Sequence, residues 1–281
     1  MKIQFLILLS FLISCNQKIA EETTTTTAAI NSSAPYLWAN RSFPKAVHLS
    51  ANFKENEINN IVAMSDAWKT ALQDKRTFFA YGNRTPEISN TLNNLDSMLD
   101  GVLGIYRTEN WPPALPGSAL AVTQIFGRRH NIGTPNEFVN IEHADILINF
   151  DIHDFDSTDS GPNYDLRTVI LHEMGHFLGL THKSYSSNPD SSVMYPSINS
   201  STSKRAPRQV DIMDLAEKYG ISLSGGGTVN SAIVDKNRYV VDPRDAGEPV
   251  KILLELHADG ECVHRINGKI KERHTPPHYK Y

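Results

Sequence analysis

The run His172-Glu173-Met174-Gly175-His176-Phe177-Leu178-Gly179-Leu180-Thr181-His182 places three histidines and one carboxylate within eleven positions. Neutral imidazoles are ligands for zinc. On a helix, residues four apart stand one above the other, so His172 and His176 can face a single ion, as the H-E-x-x-H pattern requires. Gly179, three residues after the second histidine, can adopt positive φ, end the helix and bring His182 back as a third ligand. Three imidazoles leave the fourth tetrahedral position to water, the arrangement of a catalytic rather than a structural zinc. Glu173, beside the first ligand, is placed to take that water's proton. The bland alternative is a set of histidines on a helix surface, but ordinary residue frequencies make the added glycine and histidine about a thousandfold rarer than H-E-x-x-H alone.

Those side chains need a scaffold, and the chain is long enough to supply one: 281 residues, 40% of them apolar, suffice for one substantial core and an accessory piece. A net charge of -4 and no basic cluster with interleaved aromatics exclude nucleic acid as a partner. Ala46 to Phe53 alternates as a strand, and Ile58, Ile61, Val62, Trp68 and Leu72 fall along one face of a helix over residues 55–72. Further strands are predicted at Thr77 to Tyr81, Val102 to Tyr106, Ala119 to Phe126 and Ala144 to Phe150, with a proline-rich loop between Asn110 and Gly117. Asp165 is the predicted N-cap of the histidine-bearing helix, which turns Leu166, Val169, Ile170 and Phe177 inward.

The N-terminus has a different logic. Lys2 precedes an apolar run, Ile3 to Ile13, that is too short to span a bilayer and reads as the core of a secretory signal. It ends in Leu12-Ile13-Ser14-Cys15, which resembles a bacterial lipobox. The resemblance implies cleavage after residue 14, lipid on Cys15, and an exported chain anchored to a bacterial cell membrane, with the outer membrane or cell surface favoured over the inner membrane and the face left open. Residues 15–35, with Glu21-Glu22 and the threonines Thr23 to Thr27, form a polar tether. With Cys15 lipidated, Cys262 has no disulfide partner.

The histidine run, followed by Ser192-Val193-Met194-Tyr195-Pro196, resembles the zinc motif and methionine turn of the metzincin metalloproteases, in the order found in the matrixin branch. The likeness extends over about residues 36–222. It implies an α+β fold with a five-stranded mixed sheet and three helices, and a zinc-dependent endopeptidase that holds one catalytic Zn2+ at His172, His176 and His182. By the same resemblance Glu173 is the general base, Met194 packs beneath the metal, and Tyr195 and Pro196 line the wall of the S1' pocket. Asp211, in the final helix 209–220, supports the methionine turn. Substrate adds in extended form to the edge strand Ala119 to Ile125, and the protein is expected to act as a monomer. Calcium is a further candidate, at Asp151, Asp154 and Asp156 in an Asp-rich loop that also suits capping of the next helix.

Departures from the family matter as well. No Pro-Arg-Cys-Gly segment precedes the domain, and Val210 stands where matrixins often carry another aspartate. His130, His143 and His153 do not fit the spacing of a second, structural zinc. Beyond Gly225-Gly226-Gly227, which reads as a hinge, residues 223–281 form a C-terminal β-rich extension. Its strand-like runs are Tyr239 to Val241, Val250 to Leu256 and Cys262 to Ile266, with a hairpin turn at Asp259-Gly260. The extension either recognises a partner or packs the main domain, and a Cys262 thiolate reaching the open zinc position is a third idea. Two functions therefore compete: an anchored zinc endopeptidase, and a non-catalytic zinc-binding surface module for adhesion or partner binding.

Overall fold

The computed structural model describes residues 34–72, 76–85, 95–156, 162–183, 191–196, 198–221, 223 and 239–274. The signal run, Cys15, the tether and the Gly225 to Gly227 run lie outside the described residues. The elements in chain order are β1 (Tyr36–Leu37), β2 (Lys45–Ser50), α1 (Glu55–Ala71), β3 (Phe79–Thr85), β4 (Gly104–Thr108), β5 (Ala119–His130), β6 (Phe138–Asn149), β7 (Phe155–Asp156) and β8 (Tyr164–Asp165). There follow α2 (Leu166–Phe177), α3 (Gln209–Tyr219), β9 (Glu248–His257), β10 (Cys262–Ile266) and β11 (Lys269–His274).

Five strands form the mixed sheet expected of an α+β domain, in the order β5-β6-β4-β2-β3. Every neighbouring pair is parallel except β5 with β6, which is antiparallel. β1 adds in parallel to β6, and β7 and β8 form a separate two-stranded pair. Both faces of β5 and β6 are covered, which explains why their sequences are nearly continuous apolar runs.

The main core lies on the helix side of this sheet. Ile61, Met64 and Trp68 recur along one face of α1 and bury it against α2, where the Trp68 indole N–H reaches the Leu171 carbonyl at 3.2 Å. The N-terminus of α1 is closed by Glu57, whose carboxylate accepts the Lys54 N–H at 2.8 Å. Tyr219 of α3 ties the same layer together, donating its hydroxyl to the Leu178 carbonyl at 2.8 Å.

The C-terminal strands do not stand apart. They continue the sheet beyond β5 in the order β11-β10-β9-β5, and Ile252, Leu254, Leu256, Cys262 and Ile266 share one core with Met174 and Phe177 of α2. The packing alternative for residues 223–281 thus describes 248–274. Two details differ from the sequence-based expectation. Tyr239 to Val241 is not a strand: three apolar residues leave Val240 57% exposed, and Pro243 and a turn from Asp242 to Asp245 follow at once. β11, conversely, was not predicted. It follows Asn267-Gly268, both at positive φ (48° and 77°), the dipeptide of a tight hairpin.

Candidate metal centre

The helix α2 starts where its sequence allows: the Asp165 carboxylate caps it by accepting the Thr168 N–H at 3.1 Å. At the other end Gly179 takes φ 83°, donates its N–H to the His176 carbonyl at 2.7 Å and reverses the chain. A Cβ there would lie 2.1 Å from the Tyr36 carbonyl oxygen, so the close approach to β1 needs glycine as much as the turn does. The chain then returns His182 to the helix face.

The structure brings His172, His176 and His182 together. The Nε2 of His182 lies 3.2 Å from that of His172 and 3.1 Å from that of His176. Their other nitrogens are already committed. His172 Nδ1 lies 2.8 Å from the Val193 carbonyl and His176 Nδ1 2.9 Å from the Leu180 carbonyl. A carbonyl only accepts, so both Nδ1 atoms carry the proton and both Nε2 atoms present lone pairs. Burial, and then the neighbouring imidazoles, hold His176 and His182 well below the ordinary histidine value. Burial likewise takes His172 down to about 4. Neutral rings whose lone pairs converge on one point are the donor set a zinc ion takes, so the residues fit that metal.

Glu173 completes the arrangement. Its Oε2 accepts the Thr123 hydroxyl of β5 at 2.5 Å, while Oε1 is buried without a hydrogen-bond partner among the described residues. Burial pushes its carboxyl up to about 8, against the opposing effect of the Thr123 hydrogen bond. Beneath the helix Met194 is wholly buried against Gly175, where an added Cβ would meet its sulfur at 2.3 Å. Asp211 holds this turn from α3: one carboxylate oxygen accepts the Ser192 hydroxyl, and the other accepts the Val193 N–H at 2.9 Å. Tyr195 and Pro196 are buried, the former with the Lys204 ammonium over its ring.

Residues 143–220 match the family model for matrixins. The chain carries a matrixin-like metzincin domain. In its general class that is a zinc metalloprotease domain, and no curated protein matches the chain. The matched stretch runs from the middle of β6 through α2 and the methionine turn to the end of α3, so β9, β10 and β11 lie outside it.

Other residues singled out in the sequence stand elsewhere. Asp151 accepts the Trp111 N–H at 3.0 Å and Asp156 the Asn163 N–H at 2.8 Å. Among the described residues, neither of them nor Asp154 belongs to a cluster of three or more metal-ligand groups. His143 pairs with Asp145 at 2.7 Å, His130 with Asp245 at 3.0 Å, and His153 with the Gly117 carbonyl at 3.1 Å. Cys262 does not join the histidine cluster. Burial and then the nearby Glu173 charge push its thiol well above the ordinary cysteine value, which opposes the thiolate that metal binding would need.

Sequence reasoning missed three participants. Thr123 was read only as part of a strand. His264 of β10 sets its Nε2 2.7 Å from His182 Nδ1, and Glu272 of β11 lies 3.5 Å from His264 Nδ1. The Asn267-Gly268 signal would have revealed β11 and placed Glu272 and His274 beside β10. Nothing local connects His264 to the metal motif.

Proposed function

We propose that this matrixin-like domain is a zinc-dependent endopeptidase, anchored outside the cell by a lipid on Cys15, with Glu173 as general base. The observation that carries the reading is the convergence of three Nε2 atoms beside a buried carboxylate whose Oε1 has no partner among the described residues. Zinc held by His172, His176 and His182 supplies Lewis acidity, polarising a peptide carbonyl and acidifying water. The chain's own residues do the rest. Glu173 accepts a proton from the attacking water at Oε1 and returns it to the leaving nitrogen, while Thr123 holds Oε2 and fixes the carboxylate. The Val193 and Leu180 carbonyls lock the tautomers and orientations of His172 and His176. Tyr195 and Pro196 form the pocket wall, and substrate lies extended along β5.

The reading is tested with Glu173→Gln: zinc content stays at one equivalent while hydrolysis of a mixed fluorogenic peptide library disappears. Retained hydrolysis removes Glu173 from its role. One observation favours the competing reading of a zinc-binding surface module, namely that all four groups are 6% exposed or less. Zinc binding without cleavage under any condition would select it. The anchor is tested separately, since a labelled fatty acid should enter the wild type and not Cys15→Ala.

A further inference from the structure

We infer that the chain's own residues 248–274 hold closed the outer edge of β5 and the α2 face beneath it, the place where an extended substrate strand would lie. This rests on the endopeptidase reading, because a substrate strand and this segment would then compete for one place.

β9 runs antiparallel along β5, from Ala119 opposite His257 to Arg129 opposite Glu248. An antiparallel partner takes the N–H and C=O groups of the edge it covers, so no other strand adds there while β9 is seated. The register shows what the cover does. Thr123 of β5, Leu254 of β9, His264 of β10 and Glu272 of β11 stand opposite one another in consecutive strands. Residues in one such row point to the same face. At one end Thr123 holds Glu173; further along His264 reaches His182; Leu254, wholly buried, lies between them. The next row contains Ala121, Leu256, Cys262 and His274, with Cys262 wholly buried near Glu173. The hairpin therefore brackets the site from proton acceptor to third histidine, using polypeptide in the conformation a substrate would adopt.

The contacts that retain the cover are separate from those that face the site. On the opposite face of β9, Glu255 takes Arg265 at 2.6 Å and His257 at 3.0 Å. Glu248 binds Arg129 at 2.9 Å, and the Tyr164 hydroxyl donates to the Ala258 carbonyl at 2.7 Å. Two surface cavities, one lined by Phe126, Arg128 and Lys251 and the other by Trp38, Lys45 and His143, do not reach the three histidines. On this inference a polypeptide meets the histidines by displacing residues 248–274.

The test uses the full chain loaded with one equivalent of Co2+, whose visible absorption reports binding at the metal. It is titrated with a tripeptide hydroxamate while amide hydrogen exchange is followed in residues 119–130 and 248–257. The wild type should exchange slowly in both segments and bind the hydroxamate about tenfold or more weakly than Leu254→Asp, whose buried carboxylate unseats β9. Glu255→Lys, which breaks the far-face pairs and leaves the site untouched, serves where Leu254→Asp does not fold. Equal hydroxamate binding by wild type and variant, with β9 protected in the first and released in the second, overturns the inference. Peptide hydrolysis on the same zinc-loaded samples separates the two ideas. An opened variant that binds hydroxamate yet cuts nothing keeps the cover and rejects the endopeptidase reading.

Discussion

Residues 143–220 and residues 248–274 press on the same histidines by different means. In the first region the three histidines are held from within the region itself, His176 by the carbonyl of Leu180, His172 by that of Val193 and the returning His182 by Gly179, while Glu173 is held from β5 by Thr123. In the second, His264 reaches His182 across 82 positions and does so only because β9 has found the edge of β5. The first region encodes what the site is made of; the second encodes who may enter it.

The sharpest way to break this division is Glu173→Gln, expected to lower peptide hydrolysis by about 10^2 to 10^4-fold with zinc retained. A comparable loss from any substitution confined to β9 would show that the extension also performs the chemistry. Next in size is His264→Leu. If the His264 contact orients His182 as well as covering it, zinc affinity measured by chelator competition should weaken about 10 to 100-fold. Unchanged affinity would confine the C-terminal region to access alone.

Within the first region Gly175→Ala drives a methyl group into the Met194 sulfur. Overpacking of this kind should cost about 1 to 3 kcal/mol in thermal or denaturant unfolding. A neutral result would mean that the methionine turn moves freely.

The smallest effect concerns acid and the second region. Burial alone would raise the Glu255 carboxyl, but hydrogen bonds from His257 and Arg265 more than offset it and hold the group below its ordinary 4.5, with Arg273 also nearby. A carboxyl lowered on folding stabilises above its ordinary value, and that contribution fades as pH falls through the lowered value. Melting temperature should therefore drop less on acidification in Glu255→Gln than in the wild type. Parallel curves would mean that this pair does not hold the hairpin.

Much of the site was legible because it is local. Spacing of four on a helix, a glycine where the chain must reverse and an aspartate at the cap are all readable from residues 165 to 182. The five strands of the main sheet were legible from apolar runs of strand length. The place of the extension was less legible, for two reasons. The composition shift at Gly225 to Gly227 looked like a boundary, and the Asn267-Gly268 turn went unread, so β11 and Glu272 were missed. Thr123 gave no signal at all, since a threonine in a strand is ordinary until another element places a carboxylate against it.

The sequence by itself determined the cluster of three histidines, the glutamate beside them and the helix that spaces them, because helical periodicity and glycine stereochemistry act over a few residues. Only the tertiary structure decided that the site is covered and what covers it. Pairing β9 with β5 is a choice of edge and register made between distant segments, and it depends on complementary backbone and a shared core rather than on any local residue pattern.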